Sequence, residues 1–317
     1  MQYAEKNMRN ALLFRWGGLG DLLVTFPAVY LIRRSFPGAR LTLVCREAYG
    51  QFLREVGVVD EVIGGESRRL LPLFAGPAGP GSELREWLRG FDLIVGWLNK
   101  KSDGVLERTV RGASAPGRSH FFYFQSGKAQ PMSRFFFSQT LAIIRKRRPV
   151  SFSFEDCARL PFPPPGDRTP EPEALEQAAK YVVVHPGSGG EKKRWPLRNF
   201  LEVIRRLAQR GIRGALVTGE AEERLEAKIE RAALPKGWIW LRSPRLTALS
   251  KILRDADLYL GNDSGITHLA AACGTEVVAL FRRELVPDWR PFGRTRVLSA
   301  ASLEDISVDS VWEALPF

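Results

Sequence analysis

Cysteine is scarce in this 317-residue chain: Cys45, Cys157 and Cys273 are the only three, and none stands in a C-x-x-C pair. That scarcity excludes a zinc ribbon and a disulfide framework, and it points to a reducing compartment. Histidine is as rare, and His120, His185 and His268 show no metal-ligand spacing, so no metal is expected. Long apolar runs are missing too. The longest, Leu22 to Ile32, is about half of the ~20 residues that a membrane span needs, and Pro27 interrupts it. Before Arg15 the apolar run Ala11 to Phe14 is too short for a signal-peptide core, so a cytoplasmic chain is expected. With 44% hydrophobic and 26% charged residues, the composition is that of a globular protein of two domains.

Acidic residues also disappear locally. Between Glu107 and Glu155 there are none, while Arg108, Arg111, Arg118, Lys128, Arg134, Arg145, Lys146, Arg147 and Arg148 contribute to a net charge of +12. The aromatic runs Phe121 to Phe124 and Phe135 to Phe137 lie in the same stretch. A basic and aromatic mixture suits nucleic acid, an anionic membrane surface or a phosphorylated glycolipid. The bland alternative is a solvated face beside buried phenylalanines.

What is present alternates between strand and helix. Ala11 to Phe14, Leu41 to Cys45, Val59 to Ile63 and Leu93 to Trp97 read as strands, and a helical pattern runs from Asp21 to about Ser35. Residues 98 to 150 give no clear pattern. Pro161 to Pro172 holds six prolines, which predicts a stiff linker over 161–180 between domains 1–160 and 181–317. Beyond it, strands are expected at Tyr181 to His185, Ala215 to Thr218, Trp238 to Leu241, Leu258 to Gly261 and Val277 to Phe281. Helices are expected over Pro196 to Gln209, Glu220 to Ala232, after a Thr247 cap, and from Ser264 to Cys273.

Three loops after strands carry chemistry, because open parallel sheets bind ligands at the carboxyl ends of their strands. The first is Trp16-Gly17-Gly18-Leu19-Gly20-Asp21, where Asp21 is either a cleft carboxylate or a helix-stabilising acid. It fails as a G-x-G-x-x-G fingerprint, since Leu23 stands at the third glycine. The second, His185 to Gly190 followed by Glu191-Lys192-Lys193-Arg194-Trp195-Pro196, lacks P-loop spacing but offers an anion cradle; the alternative is an ordinary loop with solvated lysines. The third is Gly261 to His268, in which Asp263 could be an N-cap and His268 a satisfied core histidine. Asp255-Ala256-Asp257 has a metal-site form but precedes its strand, at the wrong end of the sheet.

Together these blocks resemble glycosyltransferase family nine, the ADP-heptose:lipopolysaccharide heptosyltransferases. The similarity rests on Gly18 to Ala28, Arg33 to Pro37, His185 to Ser188 with Lys193 to Pro196, Asp263 to Ala271, and Trp289 to Gly293. Ser264 stands where the family usually has threonine, Arg282 where it commonly has glycine, and 98–160 matches no block.

The resemblance implies an α/β protein of the GT-B type, two Rossmann-like domains facing a central cleft, with the acceptor on the first domain and the donor on the second. It implies metal-independent, inverting transfer of a heptose from ADP-heptose to a lipopolysaccharide core or other anionic glycan, with no cofactor. Asp21 would be the base. Lys193, Ser188, Ser264 and Gly265 would hold the departing diphosphate, Glu222 the ribose, and Gly18, Gly20, Gly187, Gly219, Asp263 and His268 would complete the donor site. Arg145, Lys146, Arg147 and Arg148 would meet the acceptor, at the cytoplasmic face of the inner membrane. An NADP-dependent oxidoreductase using Gly18, Gly20 and Arg46, or a basic nucleic-acid-binding protein, are the competing classes.

Overall fold

The structure, a computed structural model, describes residues 8–74, 81–98, 100–127, 130–161, 175, 180–219 and 222–317. It divides into two compact units, Met1–Pro163 and Pro164–Phe317. Most of the expected proline-rich linker, and Lys128, lie outside the described residues.

The first unit runs β1 (Asn10–Phe14), α1 (Leu19–Ser35), β2 (Arg40–Cys45), α2 (Glu47–Glu55), β3 (Glu61–Gly64), α3 (Leu71–Phe74) and α4 (Ser82–Arg89). It continues through β4 (Leu93–Leu98), α5 (Lys100–Ala113), β5 (Ser119–Tyr123), α6 (Met132–Arg145) and α7 (Phe154–Cys157). Its five strands are parallel in the order β3-β2-β1-β4-β5. Leu12, Leu13 and Phe14 are fully buried, as are Leu93, Ile94 and Val95. Such unbroken apolar strands are what a parallel sheet requires when helices cover both faces. The stretch that gave no clear sequence pattern folds as α5, β5 and α6, with α6 packed on α1.

The second unit runs β6 (Tyr181–His185), α8 (Leu197–Gln209), β7 (Arg213–Thr218), α9 (Glu223–Ala232), β8 (Trp238–Arg242), α10 (Leu246–Asp255) and β9 (Leu258–Asn262). Then come α11 (Gly265–Cys273), β10 (Glu276–Arg282), α12 (Val286–Trp289), β11 (Thr295–Ala300) and α13 (Val308–Ala314). Its six parallel strands are ordered β11-β10-β9-β6-β7-β8. Counted within the unit this is the 3-2-1-4-5-6 winding of a dinucleotide-type fold, with its switch point between β6 and β9. Some expected boundaries move. Pro196 is the N-cap of α8 and not its first residue, and α10 starts after Arg245, so Thr247 lies inside its first turn. Ser264 caps α11 by accepting from the Thr267 N–H, which leaves Asp263 outside the helix.

All three cysteines are free and buried, and burial pushes the Cys45 thiol up to about 12 and that of Cys157 to about 11. Neither offers a thiolate at neutral pH. The core of the second unit gathers around Trp195, which is 1% exposed. Its indole N–H donates to the Ile306 carbonyl at 2.8 Å, and its ring meets Phe200 edge-on at 4.9 Å. Trp195→Ala should therefore cost about 3–5 kcal/mol. Hydrogen exchange is the check: protection should fall in β6 and β9 while β1 and β4 keep theirs.

Candidate functional site

Each unit gathers its polar side chains at the carboxyl rim of its sheet. In the first, Arg15 follows β1 and is only 7% exposed. Its guanidinium donates to Asp21 Oδ1 at 2.8 Å, to the Asp21 carbonyl at 3.0 Å and to the Trp97 carbonyl at the end of β4 at 3.1 Å. The second carboxylate oxygen of Asp21 accepts from the Gly18 N–H at 2.9 Å. Gly17, with φ of 117°, lets the chain turn tightly here, and a Cβ on it would fall 2.5 Å from the Asp21 carboxyl carbon. The result is a carboxylate one-third exposed and fixed from two sides. Gly20 sits in the first turn of α1, beside Asp21.

In the second unit three loops meet at the switch point. Asn262, wholly buried at the end of β9, accepts from the Trp195 N–H at 3.0 Å and donates to the Pro186 carbonyl at 2.8 Å. Ser188 donates to the Asp263 carbonyl at 2.7 Å, and its own carbonyl accepts twice from Arg194, at 3.0 and 2.8 Å. Lys193 Nζ lies 2.6 Å from Asp263 Oδ2, the lysine 38% exposed and the aspartate 6%. Next to this pair Ser264, Gly265 and Ile266 open α11 and are partly exposed. The first backbone N–H groups of a helix have no partner within it, so this rim presents donors toward an anion.

Glu222 packs behind the Pro-Gly loop. It is 3% exposed, accepts from the Gly219 N–H at 2.9 Å and occupies the space that any side chain at Gly187 would need. Beside it His185 donates its Nδ1–H to the Val217 carbonyl at 2.9 Å, and burial lowers its pKa from 6.5. The ring is therefore neutral at pH 7. His268 lies on the buried face of α11 at 1% exposure.

The expected donor residues Gly187, Ser188, Lys193, Gly219, Glu222, Asp263, Ser264, Gly265 and His268 thus share one rim of the second unit, while Gly18 and Gly20 belong with Asp21 in the first. Ser188 and the Arg145–Arg148 run lie apart from these rims' exposed groups. The Ser188 hydroxyl is 2% exposed and donates to the Asp263 carbonyl, so it ties two loops together. The structure does not bring Arg145 to Arg148 to the Asp21 loop. Helix α6 starts at Met132, whose sulfur lies 3.7 Å from Arg15, and runs away from that rim. At its far end Arg147 donates to the Asp92 carbonyl just before β4, and Arg148 to the Ser35 carbonyl where α1 ends. Much of the basic stretch is likewise spent locally: Arg111 pairs with Glu107, Arg134 with Glu155, and Arg118 donates to the Phe91 carbonyl. Asp257 does sit at the amino end of its sheet, accepting from the Tyr181 N–H that opens β6.

Sequence reasoning missed Arg15 and Asn262. Each is a polar residue closing an apolar strand at a switch point, and that position was the available signal.

The model of glycosyltransferase family 9 (heptosyltransferase) matches residues 164–306. Over 290 residues the chain is 26% identical to lipopolysaccharide heptosyltransferase 1 of Pseudomonas aeruginosa, a match covering 85% of this chain and 78% of that protein. Among solved structures, the glycosyl transferase family 9 protein from Veillonella parvula aligns with a TM-score of 0.72 at 18% identity, over 98% of this chain and 97% of its own. E. coli heptosyltransferase WaaC with ADP aligns with a TM-score of 0.71 at 21% identity, over 96% and 98%. The shared architecture is α/β of the GT-B type.

The neutral His185 makes stability depend on pH. Its folded pKa lies below the unfolded 6.5, so the unfolded chain binds the proton first. Its contribution is complete above the unfolded pKa and falls as the pH drops below it, by up to ~1.4 kcal/mol per pH unit. Denaturant midpoints of the second unit should decline from pH 7 toward pH 5.5, and His185→Asn should flatten that decline.

Proposed function

We propose that the chain is a glycosyltransferase of family 9, whose model its second unit matches, and that it moves a heptose from ADP-heptose to an anionic glycolipid of the lipopolysaccharide core. Transfer inverts the anomeric centre and uses no metal ion. The observation that carries the donor side is the rim of the second unit, where Lys193 pairs with Asp263, the residue just before the Ser264 cap of α11. A diphosphate seated there meets a cation and aimed backbone dipoles as its charge develops. The ADP in the WaaC structure supports the choice of nucleotide.

Asp21 is the base. As the acceptor oxygen attacks the anomeric carbon, its proton passes to a carboxylate lone pair, and the bond from that carbon to the diphosphate oxygen breaks. Arg15 and the Gly18 N–H hold the carboxylate so that its rotamer does not have to be found during reaction. One carboxylate base and one displacement give inversion. Glu222 and Gly187 shape the floor behind the diphosphate, and Glu222 is the group proposed to reach the ribose hydroxyls. The acceptor belongs to the first unit, along the rim that carries Asp21.

Transfer should persist in EDTA, and loss of turnover that magnesium or manganese restores would defeat the metal-free reading. Asp21→Asn keeps the size and cannot take the proton, so turnover with a glycolipid acceptor should fall by roughly 10² to 10⁴ while ADP affinity stays near that of the parent. Lys193→Ala should weaken ADP binding and slow transfer together, because its charge is present in the ground state and on the leaving group. Titration calorimetry with ADP, run beside turnover, separates the two roles.

A further inference from the structure

Among the described residues the exposed large hydrophobic side chains are Leu71, 64% exposed, and Phe74, 41% exposed. They belong to one short segment, Arg68–Phe74, whose other leucines, Leu70 and Leu73, are buried. The segment is thus pinned from inside and apolar outside, with Pro72 also exposed between the two side chains. Arg68 and Arg69 are exposed at its start, Arg69 lying 4.6 Å over the ring of Trp87. No acidic residue stands between Glu66 and Glu83.

The segment follows β3 and so lies on the same rim as Asp21. The Phe74 ring meets Trp16 edge-on at 6.0 Å, Trp16 stacks on Phe14 at 5.6 Å, and Trp16 leads into Gly17. The charge of the chain has the same bias: residues 1–163 hold 24 basic and 14 acidic side chains, the remainder 23 and 21. Ten of the twelve net positive charges therefore lie in the unit that carries this apolar face.

We propose that Arg68–Phe74 is the element by which the first unit docks on an anionic bilayer. Leu71 and Phe74 enter the interface between headgroups and acyl chains, and Arg68 and Arg69 meet lipid phosphates. An apolar face flanked by arginines is the pattern of interfacial binding, which adds buried apolar area to attraction for anionic lipid. A second copy of the chain fits less well, since a two-fold contact through this face would set arginines of the two copies against one another. Docking here puts the Asp21 loop at the membrane surface, where a glycolipid acceptor resides. In that purpose the inference rests on the proposed acceptor, but measuring it requires neither donor nor acceptor.

The experiment is co-sedimentation of the full chain with phosphatidylcholine vesicles and with vesicles in which about a third of the lipid is phosphatidylglycerol. The parent should partition onto the anionic vesicles and respond to salt. Leu71→Ser with Phe74→Ser should weaken that partition by about tenfold or more, and Arg68→Ser with Arg69→Ser should weaken it by a similar factor at low salt. Arg145→Ser with Lys146→Ser, on the opposite rim, should leave it unchanged. Thermal shifts with ADP, run on every variant, report folding and the donor site separately: failure of ADP to bind the parent counts against the proposed activity and leaves the vesicle result standing. The docking proposal is overturned if the parent ignores anionic vesicles, if the Leu71 and Phe74 pair proves indifferent while Arg145 and Lys146 matter, or if the apolar pair changes only self-association in the absence of lipid.

Discussion

The second unit depends on one buried amide. Asn262 stands where the sheet changes winding direction, and there neighbouring strands lead into loops that part in opposite directions. Backbone groups at such a point lose their ladder partners, and a buried N–H or carbonyl without a partner costs about 1–3 kcal/mol. Asn262 supplies a donor to the Pro186 carbonyl and an acceptor to the Trp195 N–H, so a single side chain joins the two loops that β6 and β9 would otherwise leave apart. The polar groups of this rim are positioned from that junction: Ser188 and Asp263 are tied across it, and Lys193 precedes the anchored Trp195 by two residues.

The first unit solves the same topological problem with a charge. Arg15 spans from β1 to the end of β4 and to the opening turn of α1, and the carboxylate it needs is Asp21. Thus a residue read as catalytic is also the counter-ion of a buried guanidinium. Removing one partner of such a pair leaves the other uncompensated, so function and local stability are joined at Asp21.

The legible parts of the sequence were those in which one local rule acts alone. β6, β7 and β9 are short apolar runs ended by glycine or polar residues, and α11 is bracketed by Ser264 and Gly274, so their identity is visible without tertiary information. The stretch from α5 to α6 was opaque for a physical reason. In α6, Phe135, Phe136 and Phe137 are all buried although consecutive, because the helix packs on α1 and meets further aromatic partners such as Phe154, and an element enclosed on several sides has no clean period. The basic run misled for a related cause. Charge counted along the chain does not reveal that Arg118, Arg147 and Arg148 donate to carbonyls at the amino rim of the sheet. Arg15 and Asn262 were overlooked because much of what they hold lies far along the chain, Trp97 82 residues from Arg15 and Trp195 67 from Asn262.

The Lys193–Asp263 pair also changes what an incoming anion encounters. The lysine is already neutralised by a carboxylate that is itself nearly out of solvent, so the rim is not a bare cation waiting for a counter-charge. Seating an anion is an exchange of partners in which a buried carboxylate must retain a share of the ammonium or face its own desolvation. A monoanion returns little more than the pair already has, whereas a group with two adjacent negative centres can use the ammonium and the α11 N–H groups together. Discrimination by charge number is in this way inherent in a rim whose lysine is already paired before any ligand arrives.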